Sequence, residues 1–148
     1  MEASFRTATL ADEPVLLELM RELYRHEGLA YVEPAAREAL RGVLDGPSLG
    51  RAVLIELDGA VAGYLVVCFG WSLEFHGRDA FLDELYLRDR FRGGGIGSLA
   101  LEAAAEICRS NGVRALHLEV ERGNTRAQSL YRRSGFVDRK YYLMTRWL

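Results

Sequence analysis

The stretch Arg92-Gly93-Gly94-Gly95-Ile96-Gly97-Ser98 decides the fold. Before it, Ala80 to Leu87 reads as a strand. After it, Ser98 to Arg109 is apolar and alanine-rich and reads as a helix. Strand, glycine turn, helix is an arrangement suited to phosphate. The first helical N–H groups lack an acceptor inside the helix, and the helix dipole favours an anion there. Gly93, Gly94, Gly95 and Gly97 let the backbone approach a ligand with no Cβ in the way. Arg90 and Arg92 add positive charge beside the turn. A flexible surface turn is the weaker reading for four glycines between a buried strand and a helix.

The kind of phosphate ligand can be narrowed. No Lys-Ser/Thr follows the glycines, so this is not an ATP-binding P-loop. Gly95-Ile-Gly-Ser-Leu-Ala100 fits the dinucleotide pattern, and Glu119 lies where an acidic ribose ligand would be sought. Yet only about fifty residues follow the turn, too few for the rest of a dinucleotide domain, and several elements precede it.

Outward from the turn, the chain reads as one mixed α/β domain over residues 1–148, without repeats or low-complexity stretches. Ser4 to Ala8 is a short strand. A helix begins around Thr9 to Pro14, carries Val15, Leu16, Leu19, Met20 and Leu23 at helical spacing, and stops at Gly28. Pro34 opens a second helix, ending near Gly42. Arg51 to Leu57 and Val61 to Phe69 form a hairpin across Asp58-Gly59. Gly70 to Asp79 reads as a loop. In the following strand, Phe81, Leu85 and Leu87 share one face. Val113 to Val120 is a buried strand, Asn124 to Arg133 a short helix, and Lys140 to Trp147 a final strand.

Composition sets bounds on function. Of 148 residues, 49% are hydrophobic and 27% charged, as in an ordinary globular domain. The net charge of -2, with arginines scattered, gives no footprint for nucleic acid. No apolar run reaches the roughly 18 residues that span a bilayer, so no membrane partner is expected. Cys68 and Cys108 form no CxxC pair or disulfide framework, and the first residues hold no apolar signal region. A reduced, cytoplasmic protein is the expectation.

Two motifs carry a family resemblance. Arg92-Gly-Gly-Gly95-Ile-Gly97 resembles the Gln/Arg-x-x-Gly-x-Gly/Ala motif of the GCN5-related N-acetyltransferase superfamily. Asn124-Thr-Arg-Ala-Gln-Ser-Leu-Tyr131-Arg-Arg-Ser-Gly-Phe136 resembles its Asn…Ala…Leu-Tyr…Gly-Phe segment. A helix and a strand separate the two, as the family requires. The resemblance implies a central, splayed mixed sheet flanked by helices on both faces, with acetyl-CoA in the splay. It implies pyrophosphate contacts from Arg92, Gly93, Gly94, Gly95, Ile96, Gly97 and Ser98. The backbone of Leu85, Tyr86 and Leu87 would pair with the pantetheine arm, and Asn124 would contact the cofactor side. A homodimer is implied weakly. A finer similarity, to diamine and polyamine acetyltransferases, rests on Trp71…Gly77-Arg78…Phe81-Leu82-Asp83-Glu84-Leu85-Tyr86-Leu87. The acidic pair runs Asp-Glu here, where that group usually has Glu-Asp.

The chemistry selects residues within this frame. An amine must lose a proton before it attacks a thioester, and Glu84 is the candidate base. Strict alternation puts it with Leu82 and Tyr86, opposite Leu85, and Asp83 on the other side as a weaker candidate. The alternative for Glu84 is an exposed strand carboxylate. Tyr131, whose phenol suits a general acid, is the candidate proton donor to the leaving sulfur; packing against Phe136 is the alternative. Cys68 and Cys108 sit in apolar runs and read as inert thiols. His26, His76 and His117 lack metal-ligand spacing, so no metal is assigned. Glu27, Tyr31, Trp71 and Glu74 lie in the less regular segments and are candidates for holding a cationic amine. The expected function is acetyl transfer from acetyl-CoA to a small polyamine-like or amino-acid-like amine. A protein, peptide or aminoglycoside acceptor is the alternative, and a non-catalytic CoA-binding module ranks last.

Overall fold

A computed structural model describes residues 2–148. Strand β1 (Ala3–Thr7) leads through a 3-10 turn into helix α1 (Glu13–Glu27). Pro14 occupies its first turn, where the missing N–H costs nothing, and Gly28 closes it at φ 68°. Helix α2 (Glu33–Asp45) follows, then strands β2 (Gly50–Leu57), β3 (Ala60–Ser72) and β4 (Gly77–Leu87). Helix α3 (Ile96–Ser110), strand β5 (Ala115–His117) and helix α4 (Thr125–Arg133) complete the regular structure.

The sheet runs β1-β2-β3-β4-β5, antiparallel throughout except for the parallel pairing of β4 with β5. Asp58 and Gly59 both have positive φ, as the two-residue turn between β2 and β3 requires. Strand alternation sends side chains to two cores. Val53, Ile55, Leu57, Leu65 and Val67 pack with Ile96, Ala100, Leu101, Ala104 and Cys108 of α3. Ala52, Leu54, Tyr64 and Val66 pack with Leu16, Leu19, Met20 and Leu23 of α1 and Leu40 of α2. Helices therefore cover both faces, as expected.

The structure corrects four expectations. Gly70 to Asp79 is not a loop. Strands β3 and β4 continue through it, pairing Gly70 with Asp79 and Trp71 with Arg78, and only Leu73 to His76 turn the chain. Polar cross-strand pairs sustain a hairpin arm that has left the core. Second, Phe81 does not share a face with Leu85 and Leu87. The register jumps from Val66↔Glu84 to Val67↔Leu82, so Asp83 is an extra residue in β4. This bulge flips the alternation. Ala80, Leu82, Leu85 and Leu87 meet the α3 core, whereas Tyr86 meets the α1 core, so Leu82 does not share the face of Glu84 and Tyr86 as strict alternation had it. Third, the strand expected from Val113 to Val120 is paired only from Ala115 to His117 and is half-buried. Fourth, Lys140 to Trp147 forms no strand here. Residues 137–148 are exposed and make no backbone hydrogen bond to the rest of the described chain.

Candidate active site

Pairing of β4 with β5 stops at Phe81↔His117. Beyond it β4 continues along β3 as far as Leu87, so alternate backbone groups of Leu82 to Leu87 face a splay with no strand across it. This free edge includes Leu85, Tyr86 and Leu87, the residues expected to pair with a pantetheine arm. The bulge lies at the mouth of the same opening.

The glycine turn closes the far end of the splay. Gly93 and Gly95 have φ of 82° and 83°, a left-handed conformation that a side chain disfavours. Gly95 caps α3, and the first bond of the helix runs from the Leu99 N–H to the Gly95 carbonyl. The N–H groups from Gly93 to Ser98 make no backbone bond among the described residues. Gly93, Gly94, Gly95 and Ser98 are exposed, Gly97 is half-buried and the Ile96 side chain is anchored in the core, so the turn forms a cradle at a helix N-terminus that fits a pyrophosphate. Arg92 does not reach out toward this cradle. Its Nε donates to the Leu87 carbonyl at 2.8 Å, its Nη1 pairs with Asp89 at 3.0 Å, and it stacks over Tyr86. Here it braces the turn against the end of β4. Gly97 faces α4, where an added Cβ would sit 3.2 Å from Leu130 Cδ2.

On the α1 side, Glu84 is half-buried and accepts a hydrogen bond from the Tyr64 hydroxyl at 2.8 Å. Tyr64 is wholly buried within β3, so this carboxylate is its hydroxyl's partner. Burial raises the Glu84 pKa above the ordinary carboxylate range. Tyr24 and Tyr64 oppose that by hydrogen bonding to the charged form, and Asp83 and Glu27 raise the pKa further. A carboxylate shifted upward by desolvation and neighbouring charge is suited to take a proton near neutral pH. Asp83 is exposed at the mouth, yet crowded enough by protein that desolvation also pushes its pKa up.

Tyr131 is half-buried on α4, its ring 6.1 Å from Phe136 in an edge-on contact, and it packs on the α3 core with Leu85 and Leu87. Burial first, then the charge of Glu27, raises its pKa. The charge of Glu27, in the last turn of α1, is near enough to raise both Tyr131 and Glu84. Asn124 caps α4, its Oδ1 accepting from the Ala127 N–H at 3.1 Å.

Of the other expected acceptor-side residues, Tyr31 stands one step back from Glu84: its ring meets Tyr24 edge-on at 5.9 Å, its hydroxyl donates to the Leu17 carbonyl, and Arg21 lies over its ring. Trp71 and Glu74 are not gathered here. Trp71 lies five residues beyond Val66 on β3, about 17 Å along the strand from the cross-strand partner of Glu84. Glu74, in the hairpin turn, is bound by Arg139. Sequence reasoning missed Tyr64, although a tyrosine inside the apolar run Ala62 to Val67 is a signal. Its hydroxyl has to find an acceptor once buried. The thiols of Cys68 and Cys108 are both pushed up to about 11, chiefly by burial, which leaves neither as a nucleophile. Among the described residues no group of three His, Cys, Asp or Glu side chains is arranged to hold a metal.

Free strand edge, anion cradle and paired helix motif occur together, and comparison with known proteins agrees. The model of the acetyltransferase (GNAT) family matches residues 15–136. The chain belongs to this family. It is similar to bovine thialysine N-epsilon-acetyltransferase, with 32% identity over 142 residues, 90% of this chain and 83% of that protein. A putative ribosomal protein bS18-alanine N-acetyltransferase of Bacillus subtilis is 28% identical over 85% of this chain and 82% of its own. Among solved structures, an integron cassette protein from a salt-marsh metagenome superposes with a TM-score of 0.87 at 36% identity. It covers 97% of this chain and 90% of its own. This GNAT chain is an acetyltransferase that acts on amines.

Proposed function

We propose that this protein acetylates a small cationic amine, polyamine-like or amino-acid-like, from acetyl-CoA. The observation that carries the reading is the half-buried Glu84, held by Tyr64 beside the β4 bulge where the splay opens. Acetyl-CoA supplies an activated thioester. The residues present fit it: the N–H row from Gly93 to Ser98 suits its pyrophosphate, and the free edge at Leu85 to Leu87 suits its amide arm.

Glu27, Asp83 and Glu84 concentrate negative charge at the mouth and draw an ammonium group inward. Glu84 removes the proton, leaving the nitrogen lone pair free to attack the acetyl carbon. An N–H of the Leu85 to Leu87 edge stabilises the negative charge that builds on the acetyl oxygen. As the carbon–nitrogen bond forms and the carbon–sulfur bond breaks, Tyr131 gives its hydroxyl proton to the departing sulfur; the acetylated nitrogen then sheds its second proton, which restores the Tyr131 hydroxyl, and the proton taken by Glu84 passes to solvent. The relative that acts on thialysine, by its name, supports a small amino-acid-like amine. The relative named for an alanine of a ribosomal protein supports the second reading, a peptide acceptor.

The test is free-thiol release from acetyl-CoA with a panel of putrescine, spermidine, lysine, thialysine, an aminoglycoside and a short peptide. The expected result is turnover with a small cationic amine. Tyr131→Phe and Glu84→Gln should each lower kcat on the order of 100-fold or more, with acetyl-CoA affinity retained. Turnover of the peptide alone overturns the small-amine reading. Failure to bind acetyl-CoA overturns the whole assignment.

A further inference from the structure

One side chain ties helix α1 to the end of β4. Arg88 follows Leu87, the last residue of that strand. Its Nε donates to Glu22 Oε2 at 3.1 Å and its Nη2 to Glu22 Oε1 at 2.9 Å, a two-pronged grip on one carboxylate. The same Nη2 donates to Glu18 Oε1 at 2.9 Å. Glu18 and Glu22 stand four apart on α1, a spacing at which like charges repel. The cation held between them removes that repulsion. The Arg88 side chain is 21% exposed and that of Glu22 27%, so the pair is screened less than one on the open surface.

The clamp sits next to the acceptor side of the site. Leu23 is the last buried residue of α1, and Tyr24 and Glu27 follow it. Apolar burial sets how deep a helix lies, but it is non-directional and fixes poorly where the helix stands along its axis. Glu22 comes two residues before Tyr24 and five before Glu27, about 7.5 Å along the axis from the latter. Both reach Glu84, Tyr24 by a hydrogen bond and Glu27 through its charge. The Arg88 side chain is not needed to hold the strand. Its backbone N–H donates to the Ala62 carbonyl at 2.9 Å, a bond that a change of side chain leaves in place.

We infer that Arg88 is a positioning residue for amine transfer: by gripping Glu22 and Glu18 it sets the last turn of α1, with Tyr24 and Glu27, against Glu84. This role rests on the reading of Glu84 as the base. Releasing the clamp has a signed consequence. As the last turn of α1 draws back, water reaches Glu84 and Glu27 recedes, and both changes lower the Glu84 pKa. Loss of the Tyr24 hydrogen bond raises it, while Tyr64 on β3 and Asp83 on β4 stay in place. Burial is the largest of these causes, so the net movement is downward.

The test is Arg88→Met in the full chain. Kinetics against pH use whichever of putrescine, spermidine, lysine or thialysine is turned over fastest, and calorimetry measures acetyl-CoA affinity. The KM of the amine should rise on the order of 10-fold. The acid limb of kcat/KM should move to lower pH, and acetyl-CoA affinity should hold. Exchanging the charges, Arg88→Glu with Glu22→Arg, should restore both readouts, whereas neither single change should. Should Arg88→Met fail to fold, Glu22→Gln is the milder variant and should move KM and limb in the same sense. A folded Arg88→Met or Glu22→Gln with the KM and limb of the unaltered protein overturns the inference, even if its melting temperature falls. So does a parallel loss of acetyl-CoA affinity, which would assign Arg88 to the strand. An acid limb that persists in Glu84→Gln strikes the base reading instead, and the amine KM then decides the clamp alone.

Discussion

Tyr64→Phe isolates one oxygen. The phenol ring is wholly buried, so phenylalanine keeps the packing of β3 against α1 and removes only the donor to Glu84. That donor stabilises the charged carboxylate, and without it the Glu84 pKa rises further above its already raised position. A hydrogen bond to a charged group is worth about 1.5–3 kcal/mol. The lower end applies, because Glu84 is only half-buried and Tyr24 remains in contact. At about 1.4 kcal/mol per pH unit, the shift is roughly one unit upward. The assay is kcat/KM for the acceptor against pH. A base must be deprotonated, so activity falls on the acid side as pH drops through the Glu84 pKa. In Tyr64→Phe that acid limb should move up by roughly one unit while the alkaline side stays in place. A uniform loss at every pH, with no displacement of the limb, would refute the coupling. A limb that persists unchanged in Glu84→Gln would refute the base itself.

Two further outcomes follow from the same geometry. Glu84→Gln should not lower thermal stability at neutral pH, and a loss in a melting curve would argue for a structural carboxylate. The sign follows from linkage. A carboxylate whose folded pKa is raised binds protons more readily when folded, so ionising it costs stability as pH rises through that pKa, and glutamine escapes the cost. Gly95→Ala should destabilise the fold by about 1–2 kcal/mol, because φ of 83° admits a side chain poorly, although nothing lies within 4 Å of the new Cβ. Its calorimetric affinity for acetyl-CoA should fall while kcat at saturation holds; unchanged affinity would count against the cradle.

The glycine turn, the Tyr131 helix and the two-sided core were legible in the sequence because each depends on local pattern. Left-handed φ needs glycine, amphipathic spacing makes helices, and alternation makes strands that bury two faces. Alternation alone put Glu84 with Tyr86 and opposite Leu85, whereas only the tertiary structure parted it from Leu82. One inserted residue, Asp83, reverses the alternation of β4, and a bulge is a property of pairing with β3 that neither strand announces alone. The partnership of Tyr64 with Glu84 arises because register places them diagonally across two strands. The same applies to the acceptor side. Glu27, Tyr31, Trp71 and Glu74 are alike in lying in less regular sequence, but the length of the β3–β4 arm carries Trp71 and Glu74 away and leaves Glu27 at the mouth. Local physics chose the elements, whereas long-range register chose which side chains meet.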